Sequence, residues 1–220
     1  MSEQIRITDS WTQPEDAAVP VVDASMPRSW DGRIAYLLSQ VFCPPVVGLG
    51  MIIMAASVSP NRHAWAWAGL YVMLGVLAPL VYLVRLYRTG QVSDLDIQIR
   101  EQRVKPLIFT LSSSALACVM MVVGRAPALM ITIAACYWVQ MVLVFLITLR
   151  WKISVHCATA AGAAALVQIL LGTPLPLLLG LPMMAWSRVK LQRHTFLQTI
   201  GGTVLGLAMM RLALTLGHGV

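Results

Sequence analysis

The sequence predicts an all-α polytopic membrane bundle with six or seven transmembrane helices. Three observations carry that prediction. Of 220 residues, 58% are hydrophobic and 11% charged, whereas soluble domains hold about a quarter charged residues. Mean hydropathy is +0.76, more apolar surface than a water-facing fold can bury. The acidic residues are also segregated. Six of nine lie in the first 33 positions, and the other three, Asp94, Asp96 and Glu101, share one loop. This composition excludes a soluble globular domain, a disordered chain, a disulfide scaffold and a coiled coil. The net charge of +7 reads as membrane topology and anionic headgroups rather than nucleic-acid binding.

Residues 1–33 read as a polar, acidic N-terminal tail, and residues 34–220 as the transmembrane domain. Pro14, Pro20 and Pro27 break any long helix in the tail, which lacks the apolar run of a signal peptide. Ser29-Trp30-Asp31 suits the cap of a short interfacial helix, with Trp11 and Trp30 at headgroup depth. A span takes about 20 mostly apolar residues. That ruler places spans near 34–58, 63–86, 107–123, 127–149, 154–172, 174–187 and 195–216. The sixth carries Pro174, Pro176 and Pro182 and is expected to kink. The runs are continuous rather than alternating, which argues against a barrel. Gly201, Gly202, Gly206 and Ala208 fit close helix packing in the last span.

The connections fall into two groups. Those near 59–62, 124–126 and 173 carry only Arg62 and Arg125. The others hold Arg88, Arg100, Arg103, Lys105, Arg150, Lys152, Arg188, Lys190 and Arg193, with Arg85 at the end of the second span. Alternation puts this second group, and the N-terminus, on one face. The positive-inside rule makes that face cytoplasmic.

Four cysteines stand singly in apolar runs without metal-ligand spacing and read as small buried hydrophobes. His63 and His218 read as solvated surface. His156 and His194 differ, because each sits at the membrane end of a span, where an ionisable group is costly. Around them lie Lys152, Ser154, Arg188, Arg193 and Gln198, and the acidic loop adds Asp96, Arg100, Arg103 and Lys105. Two histidines among several guanidiniums, without a carboxylate-rich metal cage, suit a phosphate. A planar guanidinium donates two hydrogen bonds at once to phosphoryl oxygens. Asp94 and Asp96 occupy a single acidic loop, while a membrane prenyltransferase needs two.

Ser187-Arg188, five residues, then His194 resembles the third signature of the type 2 phosphatidic acid phosphatase superfamily. Ser154-Val155-His156 resembles its second signature, and Arg103 with Pro106 the Arg-Pro end of its first. The resemblance covers roughly residues 34–216. It implies that His194 is the nucleophile forming a phosphohistidine and His156 the general acid. It implies Arg103 and Arg188 as the phosphate clamp, with Ser154 as a further donor and no metal or other cofactor. Four departures stand out. Asp96 occupies the position of the family's first-motif lysine, which Arg100, Lys105 or Lys152 would then replace. Val104, not proline, follows Arg103. Ile153-Ser154-Val155-His156 replaces Pro-Ser-Gly-His. Gln198 stands where an aspartate orients the nucleophile. The expected function is a membrane lipid phosphatase acting on a polyprenyl or phospholipid phosphate or diphosphate at the cytoplasmic face. Its expected partners are that substrate and membrane lipids. The alternative is a lipid-phosphate binding or transport protein that keeps the clamp without turnover.

Overall fold

Proline placement sets where the first helices start and bend. The computed structural model describes residues 27–97 and 99–217, apart from the Arg100 side chain. The tail up to residue 26, with Trp11, and His218 therefore lie outside the described residues. Helix α1 spans Trp30–Val41, and the Ser29 hydroxyl caps it by accepting the Gly32 N–H at 3.3 Å. The expected interfacial helix and the start of the first span are thus one element. Helix α2, Pro44–Ser57, begins on two prolines, which lack the N–H groups needed to continue the α1 ladder. The axis bends by 48° at this break. The expected span near 34–58 corresponds to this bent pair, a broken span or a re-entrant loop.

Helix α3, Ala64–Tyr71, runs through a π-helical stretch, Val72–Leu77, into α4, Ala78–Arg88. Pro79 lies just past that stretch, where a widened turn relieves its clash with the preceding carbonyl. A 3₁₀ turn at Arg100–Arg103 leads into α5, Val104–Val123, followed by α6, Ala128–Thr148, and α7, Val155–Leu171. A second π-helical turn, Pro176–Gly180, opens α8, Leu181–Lys190, and α9 is Phe196–Gly217.

The protein is an all-helical membrane bundle, with no strand among the described residues. Among the described residues, four helical stretches are long and apolar enough to cross a membrane: Ala64–Arg88, Glu101–Val123, Ala128–Thr148 and Phe196–Leu216. The bent α1–α2 pair makes five if it is one span. Helix α7, at 17 residues, is a shorter apolar helix. Large apolar side chains such as Met73, Val81, Val123, Leu178 and Val204 remain exposed, as lipid-facing positions require. The inner core gathers Ile52, Met121, Met130 and Leu166 from α2, α5, α6 and α7.

Helices α7 and α9 approach closely, because small residues remove the side chains that would separate them. Ala158, Ala161 and Ala165 of α7 are buried. A Cβ on Gly206 would lie 2.0 Å from the Ala158 carbonyl oxygen, and one on Gly202 would lie 2.4 Å from that of Ser154. Backbone offers no easy relief from such overlap. Gly206→Val is expected to cost about 3 kcal/mol, read as a lower unfolding temperature in detergent. Unchanged stability would show that the two helices can separate freely.

Candidate active site

The third motif works through the end of α8. Gln192 adopts the left-handed region at φ 54°. The Arg193 N–H reaches back to the Arg188 carbonyl at 3.0 Å, and the Gln192 N–H to the Val189 carbonyl at 2.9 Å. This paired closure reverses the chain at a helix C-terminus. It folds Arg193 and His194 back over the turn that carries Arg188. The reversal explains how five intervening residues leave Arg188 and His194 beside one cavity. Helix α1 braces the same turn. The Ser187 hydroxyl donates to the Ala35 carbonyl at 2.6 Å, Arg188 donates to the Ser39 hydroxyl, and Lys190 pairs with Asp31.

His194 is buried just ahead of α9. Its Nδ1 lies 3.1 Å from Gln198 Oε1 and 3.3 Å from the Lys152 carbonyl. Both are acceptors, so Nδ1 carries the proton and Nε2 keeps its lone pair. The Thr195 N–H also donates to Gln198 Oε1, at 3.2 Å, which fixes the amide orientation. Burial, with the Arg188, Arg103 and Lys152 cations, holds His194 well below its ordinary value. The imidazole is therefore neutral at pH 7.

The second motif sits at the start of α7. The Ser154 hydroxyl caps the helix by accepting the Cys157 N–H at 3.4 Å, and its own N–H donates to the Gln198 carbonyl at 3.2 Å. Ser154 is fully buried and does not line the cavity. Its expected role as a phosphate donor is corrected to that of a cap on α7, whose first turn carries His156 to the cavity.

The first motif supplies Arg103 and Asp96. Arg103 is buried, and its Nε donates to the Ile97 carbonyl at 2.8 Å. Asp96 Oδ2 accepts from Arg188 at 2.8 Å and lies 3.6 Å from Arg193 Nε, while Oδ1 is 3.9 Å from His156 Nε2. Burial alone would raise the Asp96 carboxyl, but Arg188 and its neighbours outweigh burial and hold it well below the usual carboxylate range.

Asp96, Arg103, His156, Arg188 and His194 thus border a single cavity, although they come from three segments of the chain. Its remaining walls are largely apolar, including Val76, Leu80, Leu83 and Met141. Lys152 is buried close enough to feel Arg103 and Arg188, and burial, then those cations, bring its amine down to about 8. Lys105 is not brought in. It is exposed and donates to Gln91 Oε1 at 3.0 Å, so its expected supporting role is corrected to a surface contact. The Arg100 side chain lies outside the described residues. Arg193, expected to be a topology anchor, instead points inward toward Asp96. Ser39, unremarked in the sequence, is buried against Arg188.

Lys152 yields a prediction with a defined sign. Below pH 8 its ammonium adds to the positive field facing an anion. As pH rises through about 8 that charge is lost, so the affinity of the cavity for an inorganic anion should fall roughly threefold to tenfold. Lys152→Met should bind the anion more weakly, with an affinity that is flat between pH 7 and 9. An alkaline loss of affinity that persists in the variant would assign it to another group.

Among the described residues, no group of three His, Cys, Asp or Glu side chains is placed to hold a metal ion. Comparison with protein-family models, with curated proteins and with solved structures finds no match for this chain.

Proposed function

We propose that this chain is a membrane lipid phosphatase, a divergent member of the type 2 phosphatidic acid phosphatase superfamily, acting through a phosphohistidine on His194. The observation that carries the reading is the convergence of two histidines and two buried arginines on one cavity with apolar walls. The arginines match the charge of a phosphoryl group and the walls match a lipid tail.

Each residue then has a defined task. Arg103 and Arg188 hold the phosphoryl oxygens and neutralise the charge that builds in the transition state. His194 Nε2 attacks phosphorus, and the bond to the leaving oxygen breaks. His156 gives that oxygen its proton. Water then attacks the phosphohistidine, losing a proton to His156, and orthophosphate leaves with His194 restored. Gln198 and the Lys152 carbonyl hold the Nδ1–H throughout. The leaving group is a lipid alcohol for a monophosphate, or a lipid monophosphate for a diphosphate.

The test is orthophosphate release by the purified protein in detergent and EDTA, from a panel of polyprenyl and glycerolipid phosphates. Release from at least one substrate is expected. A second reading, lipid-phosphate binding or transport without turnover, is favoured by Gln198 standing in place of a carboxylate. It gains the case if a lipid phosphate binds with no release.

The site and the N-terminus are proposed to face the cytoplasm, because the basic connections gather on the site side. Ser93 and Asn61 are both exposed, in connections assigned to opposite faces. A cysteine at Ser93 (Ser93→Cys) should resist a membrane-impermeant thiol reagent in intact cells. One at Asn61 (Asn61→Cys) should react. The reverse pattern would put the site outside and shift the substrate toward a lipid presented at the outer face.

A further inference from the structure

Both clamp arginines are already engaged, and by adjacent residues. Arg188 donates to the Asp96 carboxylate at 2.8 Å, and Arg103 donates to the Ile97 carbonyl at 2.8 Å. Asp96 also lies within 3.9 Å of His156 and 3.6 Å of Arg193. A carboxylate that faces two guanidiniums and an imidazole occupies the kind of field that a phosphoryl group needs. The backbone holding it there is strained. Ile97 sits at φ 45°, in the left-handed region, which a β-branched residue enters only under constraint. Its N–H bonds the Asp94 carbonyl at 3.2 Å, and its own carbonyl is the one held by Arg103.

We propose that Asp96 and Ile97 are internal occupants of the anion site, standing in for a phosphate and displaced when one binds. The proposal rests on the reading of Arg103 and Arg188 as a phosphate clamp. The incoming dianion takes over the Arg188 and Arg103 donors, the Asp96 carboxylate turns out toward the water it already meets at its partly exposed edge, and Ile97 relaxes. The empty site thereby avoids leaving buried guanidiniums unpaired in the membrane. Affinity is set by a competition, because only the fraction of molecules with the occupant withdrawn can bind.

The test measures orthophosphate binding by calorimetry on the full chain in detergent, without turnover. Asp96→Asn and Asp96→Ala remove the internal anion and should each bind orthophosphate at least about tenfold more tightly than the native protein. A second measurement needs no variant. Saturating orthophosphate should speed amide hydrogen exchange over residues 91–97 of the native protein. Simple repulsion by a carboxylate that stays in place would raise the variants' affinity without changing that exchange, and this result would overturn displacement. Equal or weaker binding by the variants would also overturn it. If native turnover still depends on His194 in either case, the phosphatase reading stands while the occupant is rejected. Failure of native and variant proteins alike to bind orthophosphate rejects both.

Discussion

On the proposed phosphatase reading, replacing His194 with alanine should reduce orthophosphate release by on the order of 10⁴-fold or more and leave the protein folded. The catalytic part follows from the tautomer. With Nδ1 bonded to Gln198 and the Lys152 carbonyl, Nε2 is the lone pair available at the cavity, and the side chain is neutral at pH 7. Removing it leaves water to attack an otherwise bound ester. The structural part follows from the partners left behind. Gln198 Oε1 keeps the Thr195 N–H at 3.2 Å, so the loss of His194 withdraws a donor only from the Lys152 carbonyl at 3.3 Å and costs about 1 kcal/mol. The variant should elute and unfold like the native protein and still bind a lipid phosphate through Arg103 and Arg188. An acid-labile phosphoryl label should appear on the native chain and be absent from the variant. Release within tenfold of native would assign the nucleophile elsewhere.

Much of this was legible in the sequence because hydropathy and motif spacing survive without coordinates. Each later helix falls within a few residues of its expected run, because a continuous apolar segment between charged ends has few other places to go. The break in the first run at Pro44-Pro45 was not read from the sequence, because two missing N–H groups bend the axis within an unbroken hydropathy signal. Arg188, His194, His156 and Arg103 were grouped from their motif spacings, and the structure sets them around one cavity. Arg193 was not. A basic residue past a helix end looks the same in sequence whether it points to headgroups or inward. The left-handed turn at Gln192 decides that direction, and a glutamine there carries no glycine-like signal. Lys105 was misread for the converse reason. It is two residues from Arg103, and at the start of a helix that spacing sends the two side chains to different sides. Asp96 was visible as part of an acidic loop beside the motifs and as a missing cation, but not as a partner of Arg188. Its pairing with Arg188 joins residues far apart in the chain and had no local signature.

Arg188→Met should both destabilise the protein and abolish turnover, and the two effects should separate on a second substitution. Arg188 is 1% exposed, the largest of the fully buried side chains. Methionine fills much of its volume but takes from half-buried Asp96 its one cation at hydrogen-bond distance, leaving Arg193 and His156 farther off, and it strips the Ser39 hydroxyl of its donor. Removing one partner of a buried pair typically costs about 3–5 kcal/mol. Asp96 keeps some contact with water, so about 3 kcal/mol is expected, read from unfolding in detergent. Adding Asp96→Asn removes the stranded charge and should recover most of that loss, since the two sites are directly coupled. On the proposed reading turnover should not return, because the phosphoryl group would still lack half of its clamp. A purely structural arginine would behave differently, with activity following stability back up in the double variant. Recovery of turnover there would remove Arg188 from the clamp. Failure to recover stability would mean that the Asp96 pairing contributes little to the fold.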